Sequence, residues 1–244
     1  IIEQAFLVTD CVIFNIPDGY GDKSWNRSAF SKLGQAEMVY YYFASFIVIR
    51  KKQKKRDFCK IFVVTHKAFS PPEDALYIPL YAGAEGKDVP GYMRDDENDN
   101  ISSLNPWINE CTALYWIWKH VDCEYIGLNH YRRYFIKEGK SACLANILNE
   151  KDIAVDMRSY DVLLARADQS FPDYRIYQII LKHVDQAAYA KGLRIIRGLL
   201  AERQPEYLQT FNELLDSWSF YPCNMFVMKK AVMDVYCEWL FSFL

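Results

Sequence analysis

The residues best suited to chemistry crowd into one short stretch, Asn129-His-Tyr-Arg-Arg-Tyr-Phe135. An amide, an imidazole and two guanidinium groups within five residues form a natural anion holder, because a guanidinium fork binds phosphate oxygens bidentately. On an extended segment, adjacent arginines point to opposite faces. One of Arg132 and Arg133 can then reach a ligand while its neighbour pairs with a carboxylate such as Glu110. The competing reading is a buried Arg–Glu network that only orders the strand. Glu110 lies in an almost wholly apolar stretch, where an unpaired carboxylate is costly. It is a general base, an acceptor for sugar hydroxyls or a structural ion-pair partner.

Other residues offer narrower chemistry. Asp95, Asp96 and Asp99 in the acidic loop Arg94–Asn100 supply hard oxygens suited to Mg²⁺ or Mn²⁺, although acidic loops are commonly just solvated. His66 ends an apolar run next to Thr65, positioned to meet a nucleotide or to satisfy a structural bond. Asn224 opens another apolar run, where an amide reads a sugar hydroxyl or closes a turn. Trp107 stands in the first turn of an expected helix, as a stacking platform or as core. The four histidines lack zinc-ligand spacing. No serine elbow, Walker loop, dinucleotide-binding glycine fingerprint or kinase motif set occurs, which weakens hydrolase, NTPase and dehydrogenase readings.

These side chains need elements to position them. Asn105 reads as a helix cap with Pro106 in the first turn. From Trp107 to Trp118 nearly every face is apolar, which predicts a single helix buried all round. A strand at Tyr125–Leu128 then delivers the cationic cluster. Lys60–His66 is a continuous β-branched run of the kind found in central parallel strands. Further strands are expected at Ala75–Tyr81, Tyr160–Ala165 and Asn224–Met228. Helices are expected at Ala142–Asn149, Asp173–Ala190, Gly192–Glu202, Glu206–Trp218 and Ala231–Leu244. Strands alternating with helices point to an α/β fold with a mainly parallel sheet and a helical C-terminal part. Ligands of such sheets bind at the carboxyl ends of the strands, where both Thr65–Lys67 and Asn129–Arg133 fall.

Residues 1–57 read differently, as a linker or the tail of a preceding domain, with 58–244 as the main domain. Here Asp10–Pro17 suggests a strand, Asp18–Asp22 a turn and Gln35–Lys52 a helix. The basic run Lys51–Arg56 touches anionic lipid peripherally or simply ends that helix with dipole-stabilising cations. The chain starts at Ile1 and closes in an apolar run, and so reads as a piece of a longer polypeptide.

At 51% hydrophobic and 16% aromatic, the chain has ample material for a packed core and is not globally disordered. A formal net charge of −2 argues against general nucleic-acid binding. Seven cysteines without a C-x-x-C pair suggest reduced cytosolic thiols. No apolar run is long enough to span a bilayer and no signal peptide is visible.

Five segments together carry a resemblance. They are Asn100-Ile-Ser, Asn105-Pro-x-x-x-Glu-Cys-Thr-Ala-Leu-Tyr-Trp-x-Trp-Lys119, Tyr125-Ile-Gly-Leu-x-His-Tyr-Arg-Arg-Tyr-Phe135, Pro205-Glu-Tyr and Tyr221-Pro-Cys-Asn-Met-Phe-x-Met-Lys-Lys230. Long and ordered, they resemble a bacterial family formerly labelled a domain of unknown function. It occurs in capsular, exopolysaccharide and O-antigen gene clusters. Its members are regarded as glycosyltransferases, some linked to galactofuranose transfer. Over residues 58–244 the resemblance implies a GT-A-like nucleotide-sugar-binding fold. The implied donor is a nucleotide sugar, UDP-linked with galactofuranose first, and the implied acceptor a lipid-linked growing glycan. It implies a location in the cytoplasm or at the inner face of the cytoplasmic membrane.

Enzymes of that fold ordinarily hold a metal with an Asp-x-Asp pair after a central strand. Here the comparable strand runs into Asn-His-Tyr-Arg-Arg, so no cofactor and no metal ligand is expected, with Mg²⁺ or Mn²⁺ through Asp95, Asp96 and Asp99 as the alternative. On this reading His130 with Arg132 or Arg133 neutralises the leaving diphosphate. Thr65, His66, Asn100 and Asn129 complete the donor-binding set, and Trp107 and Asn224 bind acceptor. Glu110 and Asp173 are the candidate bases; Asp173 follows Phe171-Pro172 in a loop after a strand. A phosphosugar transferase, or a non-catalytic glycan-binding or scaffolding module, fits the same residues.

Overall fold

The computed structural model describes residues 56–89, 91–168, 173–182, 185–221 and 223–244, together with the backbone of 11–15, 36–40 and 46–51. Contacts divide the chain into two compact units, Ile1–Lys55 and Arg56–Leu244.

In the first unit β1 (Cys11–Asn15), β2 (Ala36–Tyr40) and β3 (Phe46–Lys51) form an antiparallel sheet in the order β1-β3-β2, with Ile13 opposite Val48 and Met38 opposite Ile49. The expected helix over Gln35–Lys52 is therefore replaced by two strands. Phe46-Ile-Val-Ile49 is β-branched and aromatic, which suits a pleated surface better than a helix. The expected turn at Asp18–Asp22 and most of the basic run, Lys52–Lys55, lie outside the described residues.

The second unit is a mixed α/β fold built on a six-stranded, mostly parallel sheet. Its strands are β4 (Asp57–Thr65), β5 (Tyr77–Tyr81), β6 (Met93–Arg94), β7 (Cys123–His130), β8 (Val162–Leu164) and β9 (Phe226–Lys229), in the order β6-β5-β4-β7-β9-β8. Pairings β4–β5, β4–β7 and β5–β6 are parallel, and β9 is antiparallel to both neighbours. The carboxyl ends of β4, β5 and β7 thus share one edge. β4 is buried along its second half because helices and loops cover both faces, as its β-branched run requires.

One face packs Phe62, Val64, Ile126 and Leu128 against Leu114 and Ile117 of α2 (Cys111–His120) and Met233 of α7 (Lys230–Phe241). The other packs Ile61, Val63 and Val227 against Ile153 and Met157 at α3 (Glu150–Asp156) and its C-terminal cap. The stretch Leu144–Asn146 is only a 3₁₀ turn, and the helix expected at Ala142–Asn149 begins after Asn149. The side chain of Asn149 caps that helix and Asp152 reaches back to the Asn149 N–H at 2.9 Å, a capping box that fixes its start. The C-terminal helices are α4 (Ile176–Leu181), α5 (Gln186–Arg203) and α6 (Leu208–Leu215). Asp185 starts α5 by accepting the Ala188 N–H at 2.7 Å.

Gly127 sits beside Ile61 in the β4–β7 register, and a Cβ there would lie 2.7 Å from Ile61 Cγ1. The absent side chain lets the two central strands bury Ile61. Gly127→Ala should therefore cost about 1–3 kcal/mol through overpacking. Gly192→Ala, inside α5 with nothing within 4 Å of the added Cβ, should instead stabilise by about 0.5–1 kcal/mol. Chemical denaturation midpoints measure both.

Candidate active site

A buried carboxylate organises the carboxyl edge of the sheet. Asp95, just past β6, has no exposed surface. Its Oδ2 accepts from the Gly83 N–H (2.8 Å) and the Thr112 hydroxyl (2.6 Å), and its Oδ1 from the Ala84 N–H (2.9 Å) and the Ser102 hydroxyl (2.6 Å). Burying a charge is expensive unless its lone pairs are filled, and here four donors fill them. They come from the loop after β5, the turn before the helices and the first turn of α2. Gly83 has φ +65°, and a Cβ on it would overlap Asn105 at 2.5 Å.

Asn105 donates from Nδ2 to the Asn109 carbonyl (2.7 Å) and the Thr112 hydroxyl (3.1 Å). These bonds divide the single helix expected over Trp107–Trp118 into α1 (Asn105–Ile108) and α2, with a break at Asn109 (φ 48°). Asn105 is thus the first residue of α1, with no side-chain cap bond before it. Glu110 becomes the N-cap residue of α2.

A cavity of about 270 Å³ opens where these parts meet, between Thr65 and His66 at the end of β4, Ala82 beyond β5, Asn105, Asn109 and Glu110 at the helix break, and His130–Arg133 at the end of β7. β7 runs on to His130 and then turns tightly, the Arg133 N–H donating to the His130 carbonyl at 2.9 Å. Arg132 and Arg133 are therefore not on an extended segment; both are exposed on a turn and both line the cavity. Neither makes an ion pair or a side-chain hydrogen bond among the described residues; Arg132 lies over the Tyr131 ring at 5.0 Å. Lys67 approaches the same ring at 5.4 Å and His66 meets its edge at 5.5 Å.

Glu110 faces His130, not an arginine, with Oε1 3.9 Å from Nε2. That gap is too long for a hydrogen bond, and His130 Nε2 has no bonding partner among the described residues. Burial pushes the His130 pKa below the usual 6.5, outweighing the opposing pull of Glu110, and Arg133 and Arg132 lower it further. The shift favours the neutral imidazole at pH 7, against the positive charge expected of His130.

The structure separates other expected site residues from this cavity. The Thr65 hydroxyl lines it but is engaged with the Lys67 backbone. Asn129 pairs with Val63 in the β4–β7 register while His130 pairs with Val64, so the two side chains point to opposite faces. The Asn129 amide is fully buried and neither of its polar atoms has a partner among the described residues. Asn100 bonds within its own loop, to the Asp96 and Asn98 carbonyls. Asn224, just ahead of β9, accepts from the Tyr236 hydroxyl at 3.5 Å. Trp107 is 75% exposed on α1, in contrast to the core role expected of its helix. Asp173 is exposed on the turn before α4 and does not line this cavity, while Phe171 and Pro172 lie outside the described residues. Reasoning from sequence did not name Tyr131 as a lining residue, although it was legible inside the cationic cluster; Asn109 was marked as a polar residue in the first half of an otherwise apolar helix, the end that opens onto the cavity.

Among the described residues, the metal customary for GT-A-like enzymes finds no fitting ligand set. Asp95 spends both oxygens on four protein donors, Asp96 is held bidentately by Arg94 at 2.9 and 2.7 Å, and Asp99 accepts from the Tyr115 hydroxyl at 3.1 Å. Among the described residues no three His, Cys, Asp or Glu side chains converge on a common point.

Comparisons with known proteins agree with this architecture. The profile of a family described as "Domain of unknown function (DUF4422)" matches residues 60–244. A solved structure of the WbbM bifunctional glycosyltransferase in its apo form is similar over 77% of this chain, with a TM-score of 0.64 and 28% identity. The match spans 36% of that chain's length. No curated protein sequence matches.

Two outcomes follow from the geometry. Asp95→Asn turns an amide NH₂ toward backbone and hydroxyl donors, and should cost on the order of 3 kcal/mol in chemical denaturation. For His130, the folded pKa lies below the unfolded 6.5, so as pH falls the unfolded chain binds a proton that the folded chain refuses. Its contribution is complete above about pH 6.5 and is lost as pH falls toward the folded value. His130→Gln should make the fall in unfolding free energy across that window shallower.

Proposed function

The chain belongs to the family described as a domain of unknown function (DUF4422), and from that membership we propose that it is a glycosyltransferase acting on a nucleotide-sugar donor. The observation that carries this reading is the pair of guanidinium groups, Arg132 and Arg133, without an ion-pair partner among the described residues, on a turn beside Glu110 and His130 at the carboxyl edge of a mostly parallel sheet. The likeness to a glycosyltransferase structure supports it.

Arg132 and Arg133 hold the donor's diphosphate through charge-assisted hydrogen bonds and stabilise the charge that grows on it as it leaves. The acceptor hydroxyl oxygen attacks the anomeric carbon, and the bond from that carbon to the diphosphate oxygen breaks with its electron pair leaving on the diphosphate. Glu110 takes the hydroxyl proton, and neutral His130 beside it does not compete for the diphosphate. A UDP-linked donor, with galactofuranose as the first candidate, follows from the sequence resemblance. So does an acceptor glycan carried on a lipid and growing into a capsule, exopolysaccharide or O-antigen. We place the reaction in the cytoplasm, at the inner face of the membrane where such a carrier resides. Among the described residues no helix is long and apolar enough to cross a membrane.

A binding screen across nucleotide sugars, with UDP and UDP-galactose in pyranose and furanose forms included, tests this reading. Binding with slow donor hydrolysis is the expected result; glycan binding without nucleotide binding would instead mark a non-catalytic module. Arg132→Ala and Arg133→Ala should each weaken donor binding about ten- to a hundredfold. Glu110→Gln should lower turnover about 100- to 10,000-fold with little change in donor KM. Full turnover in Glu110→Gln would remove the proton from that carboxylate.

A further inference from the structure

Arg132 and Arg133 line a second cavity as well. It measures about 500 Å³, and its walls include Tyr134, Ile136, Leu144, Ile147 and Met225. Ile147 and Met225 belong to the cluster that packs under Ile61 and Val63, whereas the active-site cavity lies on the face of Val64 and Ala82. The two cavities therefore open on opposite faces of the sheet, and the arginine turn is their common wall. Asn129 points to the face of the second cavity, and its buried amide lacks a partner among the described residues.

We propose that the second cavity receives the acceptor: the terminal sugar of the glycan packs its C–H face on these walls and presents a hydroxyl across the arginine turn to the donor. The proposal rests on the glycosyltransferase reading. A transferase must bring its second substrate to the carbon that carries the leaving diphosphate. The second cavity is a void of sufficient size that touches the same two guanidinium groups, within the about 300–1,000 Å³ typical of small-molecule sites. The first cavity, about 270 Å³, is small for a whole donor and has no room for an acceptor besides. An apolar wall suits the C–H face of a sugar ring, and the two guanidinium groups that share the cavity can donate to its hydroxyls.

Ala142 and Leu144 stand exposed at the rim of the second cavity, so enlarging them fills it without disturbing the core. Ala142→Trp and Leu144→Trp are compared with the unmodified chain in three assays: UDP binding, hydrolysis of UDP-galactofuranose without acceptor, and transfer to octyl galactosides. We expect UDP affinity and hydrolysis to stay within about twofold, while the acceptor KM rises about tenfold or more, the loss of one good contact. An unchanged acceptor KM in both variants overturns the proposal. So does a loss of UDP affinity as large as the loss for acceptor, because the cavity then holds the nucleoside. If the unmodified chain neither binds UDP nor hydrolyses any nucleotide sugar, the glycosyltransferase reading itself fails, and the proposal with it.

Discussion

The candidate site depends on one buried carboxylate. Asp95 joins the loop after β5, the Ser102 turn and the first turn of α2 through four short hydrogen bonds. Each donor alone is modest, but a buried charge left short of donors is far more costly than a satisfied one is favourable. The three segments are therefore held together or lost together. That constraint places Asn105 against Gly83, breaks the helix at Asn109 and sets Glu110 opposite His130. The chemistry at the cavity is arranged by a residue that does not line it.

A second constraint is the alternation of β7. Successive side chains on a strand face opposite sides, so Asn129 and His130 serve different faces although they are neighbours in sequence. The strand then ends in a tight turn whose guanidinium groups belong to both faces. Among the described residues these exposed arginines have no carboxylate partner, so no ion pair with those residues would have to be broken before an anion could bind. Burial favours the neutral form of His130, so the positive charge at the cavity sits on Arg132 and Arg133.

Much of this was legible in the sequence. The β-branched run Lys60–His66 announced a central strand, and the crowding of His130, Arg132 and Arg133 marked a stretch that lines a cavity at the carboxyl edge of the sheet. The mostly parallel sheet and the helical C-terminal part follow the pattern of alternating elements. What was hidden depended on tertiary contacts. An acidic loop reads as solvated or metal-binding until backbone N–H groups from another loop are seen to converge on Asp95. The break at Asn109 has no local signal, since asparagine tolerates a positive φ without demanding one. Two features were readable but misread: the alternation that parts Asn129 from His130, and the Asn149–Asp152 capping box that starts α3.

The central claim is that the arginine turn holds the diphosphate of a nucleotide sugar without a metal bridge. A crystal structure of the chain with bound UDP, grown in the presence of chelator, tests it most directly. The account predicts diphosphate oxygens within hydrogen-bonding distance of the Arg132 or Arg133 guanidinium and no aspartate in the contact shell. A diphosphate seated against the Asp95–Asp99 loop, or binding that appears only when Mg²⁺ or Mn²⁺ is restored, would contradict it.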